Sequence, residues 1–304
     1  MLIRRFTDFV LRGRFQSMGA AFLLGFIPVV GLISSLIAAL VTLRKGAQEG
    51  ALVFVAATLP ILLVYAGMPS NHLPAEAISP IDIVIMIGSI NAITWVSALI
   101  LRQYSSWSFV LDVVGLLSVI VIVALHVAYP GITDWWQSWL TNYFQAVGLG
   151  DNTHAMANMV MGIKDYATGL VTIMLSLYAL LILLVARWWQ DAVFNPGGLR
   201  QELMSIRLSY VLGTVFLIGL VLSFWNLPVV MDVVPVLYMI FALAGLSLLH
   251  YTVKATNAKW WLLVVIYGVL SLIPQSIIII AMAGLLDTGM NLRKRLPVKN
   301  SLIR

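Results

Sequence analysis

Cysteine is absent from the 304-residue chain, which excludes disulfides, thiolate metal sites and cysteine nucleophiles. Charge is scarce as well. Asp, Glu, Lys and Arg make up 10% of the residues, against about 25% in a soluble domain. The 18 basic and 12 acidic side chains are too few to coat a soluble surface of this size. Histidine is limited to His72, His126, His154 and His250, which show no H-E-x-x-H or other metal-binding spacing. There is no G-x-S-x-G element, no Walker A loop and no pair of carboxylates on one helix face at membrane depth. Nothing nominates a catalytic group, a metal or a cofactor, and an ATP-driven role would need a separate ATPase. What fills the space is hydrocarbon: 61% of residues are hydrophobic, with a mean hydropathy of +1.00. Such a chain is solvated mainly by lipid.

Eight hydrophobic segments stand out, at about Met18–Leu43, Gln48–Gly67, Ile81–Leu101, Trp107–Tyr129, Ala167–Ala186, Ser209–Leu227, Val233–Val253 and Trp260–Leu286. Six have roughly the 17–25 residues needed to cross a hydrocarbon core. The first and last are longer and carry Pro28 and Pro274 near their middles. This pattern predicts an all-α polytopic membrane protein in three parts. Residues 1–17 form a basic amphipathic segment with Phe6, Phe9, Val10 and Phe15 on its apolar side, residues 18–286 a helical membrane domain, and residues 287–304 a basic tail. A cleaved signal peptide is not expected, because the first apolar run is too long and lacks a small-x-small site.

The net charge of +6 is explained by position rather than by nucleic acid. Arg44, Lys45, Arg102, Arg187, Arg200, Arg207, Lys254 and Lys259 fall in the loops of one side, and Lys164 alone on the other. The positive-inside rule puts the first group in the cytoplasm of a bacterial inner membrane. The opposite loops carry Glu76, Asp82, Asp134, Asp151, Asp165 and Asp232. If each end segment crosses once, both basic termini fall on the wrong side. If each enters and returns as two half-depth helices hinged at proline, both termini join the basic side. Single kinked helices and re-entrant hairpins both remain open at this stage.

Polar residues inside the apolar segments are few: Asn91, Asp112, His126, Asn226, His250 and Gln275. His126, Asn226 and His250 fall near segment ends, where water or headgroups are within reach. Asp112 is expected to pair with an arginine such as Arg102 or Arg187, with proton or ion coupling as the alternative. Asn91 and Gln275 fall near the middle of their segments, which suits helix-to-helix hydrogen bonding or a ligand contact. Trp135, Trp136 and Trp139 in the long outer loop suit an interfacial anchor or a lid over a pocket. A pocket built from Asn91, Trp95, Asn226 and Gln275 beneath those tryptophans would suit a small, mostly neutral molecule. Gly31, Ser35 and Ala39 recur every four residues and form a small-residue stripe, for internal packing or for a partner helix. Asn195-Pro196-Gly197-Gly198 is a turn sequence, either a tight connection or a docking surface.

Three stretches, "DFVLRGRFQS" near the N-terminus, Ala186–Ser209 and "GLLDTGMNLRKRL" at Gly284–Leu296, resemble the YybS-like family of bacterial membrane proteins, catalogued as domain of unknown function 2232. That family is thought to be related to the substrate-binding S-components of energy-coupling-factor transporters. The resemblance implies an S-component-like helical bundle. It also implies partnership with a coupling membrane subunit and separate ATPases, with the Gly31, Ser35, Ala39 face as the meeting surface. It transfers no substrate and no catalytic residue. An interaction or assembly protein that recruits cytoplasmic partners is the competing expectation.

Overall fold

The computed structural model describes residues 2–27, 31–67, 80–146 and 153–295. Pro28, His72, Glu76 and Asp151 lie outside them. The described residues are helical almost throughout. In chain order the helices are α1 (Leu2–Arg12), α2 (Arg14–Gly25), α3 (Gly31–Lys45), α4 (Ala47–Gly67) and α5 (Pro80–Tyr104). Next come α6 (Trp107–Ala128), α7 (Ile132–Ala146), α8 (Thr153–Ile163), α9 (Ala167–Phe194) and α10 (Gly198–Met204). The last five are α11 (Tyr210–Leu222), α12 (Pro228–Ala255), α13 (Trp261–Leu272), α14 (Ile277–Met290) and α15 (Leu292–Arg295). Five stretches among the described residues are long and apolar enough to cross a membrane: Ala47–Val64, Ile81–Tyr104, Trp107–Ala128, Ala157–Phe194 and Pro228–Ala255. By the length and composition of its helices the chain is a multi-pass membrane protein. Two compact units divide it, residues 1–105 with 125–199, and residues 106–124 with 200–304.

The first unit contains the first long apolar run, and that run is split. Arg14 at the start of α2 pairs with Glu49 at the start of α4, its Nε donating to Oε1 at 3.0 Å. The bonded carboxylate raises the Arg14 guanidinium further above its ordinary pKa. At the other end of α2, a side chain on Gly25 would collide with Pro60 and Ala57 of α4. So α2 and α4 run parallel. Helix α3 instead meets α4 at its C-terminal end, where Thr42 lies against Gly50 so closely that a Cβ there would fall 2.0 Å from the Thr42 hydroxyl. Helices α2 and α3 are therefore antiparallel, and Arg14 returns to the end of the unit that holds Lys45. At about 18 and 22 Å, neither helix is long enough for a full crossing of about 30 Å.

Helix α1 docks through Thr7 and Val10, both fully buried. The Trp189 indole N–H donates to the Thr7 hydroxyl at 2.8 Å, and the Trp189 ring stacks on Phe6. The amphipathic stretch is thus fastened to the C-terminal end of α9. Phe9 and Phe15 keep exposed apolar faces.

The second unit is built on α12. Helix α11 packs antiparallel to it, with Gly219 against Val234 and Leu237, and Phe216 against Tyr238 and Phe241. Helix α14 crosses α12 with glycine on both sides of the contact. A Cβ on Gly245 would fall 2.0 Å from the Ile280 carbonyl, and one on Gly284 would fall 2.3 Å from that of Phe241. After α14, Asn291 adopts a left-handed conformation (φ 49°) that ends the helix, and Arg293 reaches back to the α10–α11 connection. That connection lies at the Ser247 level of α12, where the Ser247 hydroxyl donates to the Leu203 carbonyl. Helix α14 therefore runs parallel to α12, and α13 between them runs the opposite way. The last long apolar segment is a helical hairpin broken at Ile273–Ser276, where Pro274 stands.

Two expectations change here. Among the described residues Asp112 pairs with no arginine; its carboxylate accepts the Ser209 backbone N–H and the Ser209 hydroxyl, both at 3.0 Å to Oδ1. Ser209 is the N-cap of α11 and accepts in turn from the Leu212 N–H. The acid thus orients a helix start through a serine, which satisfies it without a cation. Asp232 is not in an outer loop. Helix α12 begins at Pro228, five residues before the apolar run, because proline suits a first helical position, and Asp232 is buried within it.

Candidate functional site

Asn91 is the polar centre of the first unit. It is 6% exposed and joins three helices. The Ser35 hydroxyl of α3 donates to its Oδ1 at 3.1 Å, and its Nδ2 donates to the Thr58 hydroxyl of α4 at 2.7 Å. Thr58 donates onward to the Phe54 carbonyl at 2.8 Å. Asn91, Ser35 and Thr58 thus satisfy one another, as polar groups in an apolar surrounding must, whereas the buried hydroxyls of Ser34 on α3 and Ser97 on α5 have no partner among the described residues. Of the two amide N–H groups, one is taken by Thr58.

Beside this network, α4 and α5 separate to leave an open groove of about 370 Å³. Ala51, Val55 and Leu59 form one wall, Gly88, Ala92 and Trp95 the other, with Thr58 and Asn91 as the polar spots on an otherwise hydrocarbon lining. The Trp95 indole N–H donates to the Ala47 carbonyl at 3.1 Å, which holds the ring across the end of the groove nearer Lys45. The volume falls at the small end of the about 300–1,000 Å³ usual for ligand sites. Chemically the groove offers shape, apolar contact and one amide; no nucleophile or acid–base pair lines it.

Comparison of the chain with protein-family models, curated proteins and solved structures finds no match. The site is therefore interpreted from its own geometry.

The other expected residues fall as follows. Asn226 is exposed in the second unit, ending the short turn after α11 in a left-handed conformation (φ 50°). Gln275 is exposed at the break between α13 and α14. Both belong to the second unit, whereas Asn91 and Trp95 belong to the first. Trp135, Trp136 and Trp139 lie on α7 in an aromatic ladder that continues to Tyr143, with successive rings 4.8, 5.7 and 5.4 Å apart. The Trp136 indole N–H donates to the Thr168 hydroxyl at 2.9 Å, tying α7 to the start of α9. None of the three tryptophans lines the groove.

The small-residue stripe is occupied inside its own unit where its side chains are described: Ala39 is fully buried and Ser35 bonds Asn91. Gly31 opens α3. The turn of Asn195, Pro196, Gly197 and Gly198 is held by Asp191, whose carboxylate accepts the N–H groups of Gly197 at 3.0 Å and Gly198 at 3.1 Å. Gly197 carries the positive φ of 96° that the turn needs. Asp191 was not singled out from sequence, although an acid just before an Asn-Pro-Gly-Gly turn is a recognisable partner for its free amides.

A second polar cluster occupies the second unit, where the sequence suggests a membrane stop signal made of Asp287 and Arg293-Lys294-Arg295 at the lipid boundary. Asp287 is 2% exposed and its Oδ2 accepts from Arg293 Nε at 2.9 Å. The rest of the Arg293 guanidinium donates to the Met204 and Ile206 carbonyls and the Ser247 hydroxyl. Arg207 donates to the backbone carbonyls of Asp287 and Thr288 at 3.1 and 2.8 Å. A boundary drawn at residue 287 falls inside α14, and Arg293 acts as a clasp across three helices rather than as a surface charge. Among the described residues no group of three His, Asp or Glu side chains could hold a metal ion.

Proposed function

We propose that this chain is a non-enzymatic membrane protein that holds a small, uncharged, largely apolar molecule in the α4–α5 groove. One observation carries this reading: a groove between two membrane-length helices whose polar floor, Asn91 and Thr58, is already organised by hydrogen bonds. Preorganised polar groups in an apolar wall fix an occupant's orientation at little entropic cost. The likeness of Gly284–Leu296 to a family related to S-components favours a transport role. A coupling membrane subunit and separate ATPases would supply energy, since the chain carries no Walker A loop. The distribution of Lys and Arg favours the bacterial inner membrane with both termini cytoplasmic.

Native mass spectrometry of the purified protein tests the proposal. The wild type should carry a bound species that Ala92→Leu, which narrows the groove, loses while still inserting and eluting as a single species. Retention at full affinity by Ala92→Leu would remove the groove from consideration. Co-purification of a second membrane subunit with ATPases would support the transport role. The competing role, in assembly, is favoured by the exposed turn at Asn195–Gly197, which Asp191 holds in one shape as a docking point would be held. Breaking that turn with Asp191→Ala should abolish partner recovery under the assembly reading and leave ligand binding intact.

A further inference from the structure

We infer that the groove is filled sideways from the bilayer, by a hydrocarbon chain of a membrane lipid. This rests on the groove being a binding site, and narrows what binds.

The opening faces the wrong way for a solute from water. Its lips are Val55 and Leu59 on α4 and Gly88 and Ala92 on α5, all exposed, and the neighbouring Ile85 and Leu63 are exposed too. Both helices are membrane-length, so this face meets lipid tails. Trp95, pinned to the Ala47 carbonyl, stands across the end nearer Lys45. Among the described residues the open side of the groove, between those lips, is lateral.

The lining selects hydrocarbon. Asn91, Ser35 and Thr58 answer one another, leaving a single amide N–H for an occupant's oxygen. A polar metabolite would find most of its hydrogen-bonding groups unmet, whereas a lipid chain leaves nothing behind in moving from bilayer to groove. It gains close contacts that an empty groove forfeits.

Glycine makes the test clean. A Cβ on Gly88 meets nothing within 4 Å, and the same holds for Gly268 on α13, outside the groove. Gly88→Leu fills the groove without a clash and with a better helix former, while Gly268→Leu adds the same side chain elsewhere. The proteins are purified in detergent, mixed with detergent micelles containing the uncharged lipid dioleoylglycerol and examined by native mass spectrometry. Wild type and Gly268→Leu should each retain one lipid as detergent is stripped, and Gly88→Leu should lose at least tenfold in retention. Ala92→Leu, one turn along, should lose it as well. Equal retention by all four means annular lipid only and overturns the inference. If the wild type keeps a water-soluble compound that Gly88→Leu loses, the binding proposal stands and the lipid assignment fails. If the wild type keeps nothing, both fail.

Discussion

Replacing Arg293 with methionine should destabilise the second unit far more than removing a surface charge would. The guanidinium side chain is 10% exposed and that of Asp287 is 3% exposed. Asp287 Oδ2 has Arg293 as its donor, and Oδ1 has none among the described residues. The substitution therefore leaves a buried carboxylate with no hydrogen bond, and also strips donors from the Met204 and Ile206 carbonyls. Breaking a buried pair from one side costs about 3–5 kcal/mol. At roughly 2 °C per kcal/mol for a chain of this size, the melting midpoint should fall by about 6–10 °C. Methionine keeps much of the aliphatic stem's packing, so the loss reports on charge and hydrogen bonding.

The assay is thermal unfolding in detergent, followed by helical circular dichroism, with Arg295→Met as the exposed control two residues along. The double variant Asp287→Leu with Arg293→Met should recover part of the loss, because no charge is then stranded, although the two carbonyls stay unpaired. A single variant that melts with the Arg295→Met control would refute the clasp and return Arg293 to the role of a membrane stop signal. A double variant no better than the single one would show that the carbonyl bonds, not the ion pair, hold the connection.

Three further outcomes are expected. Ser209→Ala should lower stability by about 1 kcal/mol, since it removes both the α11 cap and one of the bonds to Asp112, and the midpoint in denaturant should move accordingly. Gly284→Leu should fail to yield folded protein because the Phe241 backbone occupies the space, in contrast to Gly88→Leu, which should be stabilised by up to about 1 kcal/mol. Trp95→Phe should keep the fold but free the end of the groove, so any retained molecule should dissociate faster while its stoichiometry holds.

Much of the helical plan was legible because it follows from hydropathy and length, which act locally. The segments at Gln48–Gly67, Ile81–Leu101 and Trp107–Tyr129 match α4, α5 and α6 to within a few residues. The proline-broken ends were legible only as two alternatives, since the choice depends on which helices pack together. The pair of Gly245 and Gly284 gave no signal: neither forms a GxxxG repeat, and each matters only because the other lies opposite it. The stripe of Gly31, Ser35 and Ala39 did repeat, yet Ser35 faces the chain's own Asn91. Asp112 was recognised as needing a partner, but its true one, Ser209, is 97 residues away and uncharged. Asn91 was legible as a deep polar group, whereas the groove beside it arises from how far α4 and α5 diverge, which no residue pattern encodes.

Within each unit a hairpin brings the basic end of its segment back beside other basic residues of that unit. A straight first segment would carry Arg4, Arg5, Arg12 and Arg14 to the opposite face from Arg44 and Lys45. Because α2 runs parallel to α4 and α3 antiparallel to it, Arg14 instead sits beside Glu49, next to Lys45. In the second unit α13 reverses α12 and α14 reverses α13, so Arg293 comes back to the level of Ser247 and the Arg207 connection. In each unit the short hairpin helices lean on one long neighbour, α4 or α12, and glycines without room for a Cβ lie at these contacts: Gly25 and Gly50 in the first, Gly245 and Gly284 in the second. Close approach of this kind brings backbone against backbone and leaves little room for lipid or water between the paired helices. Glycine contacts thus let short helices pack closely enough to bring Arg14 beside Glu49 in the first unit and Arg293 to the level of Ser247 in the second.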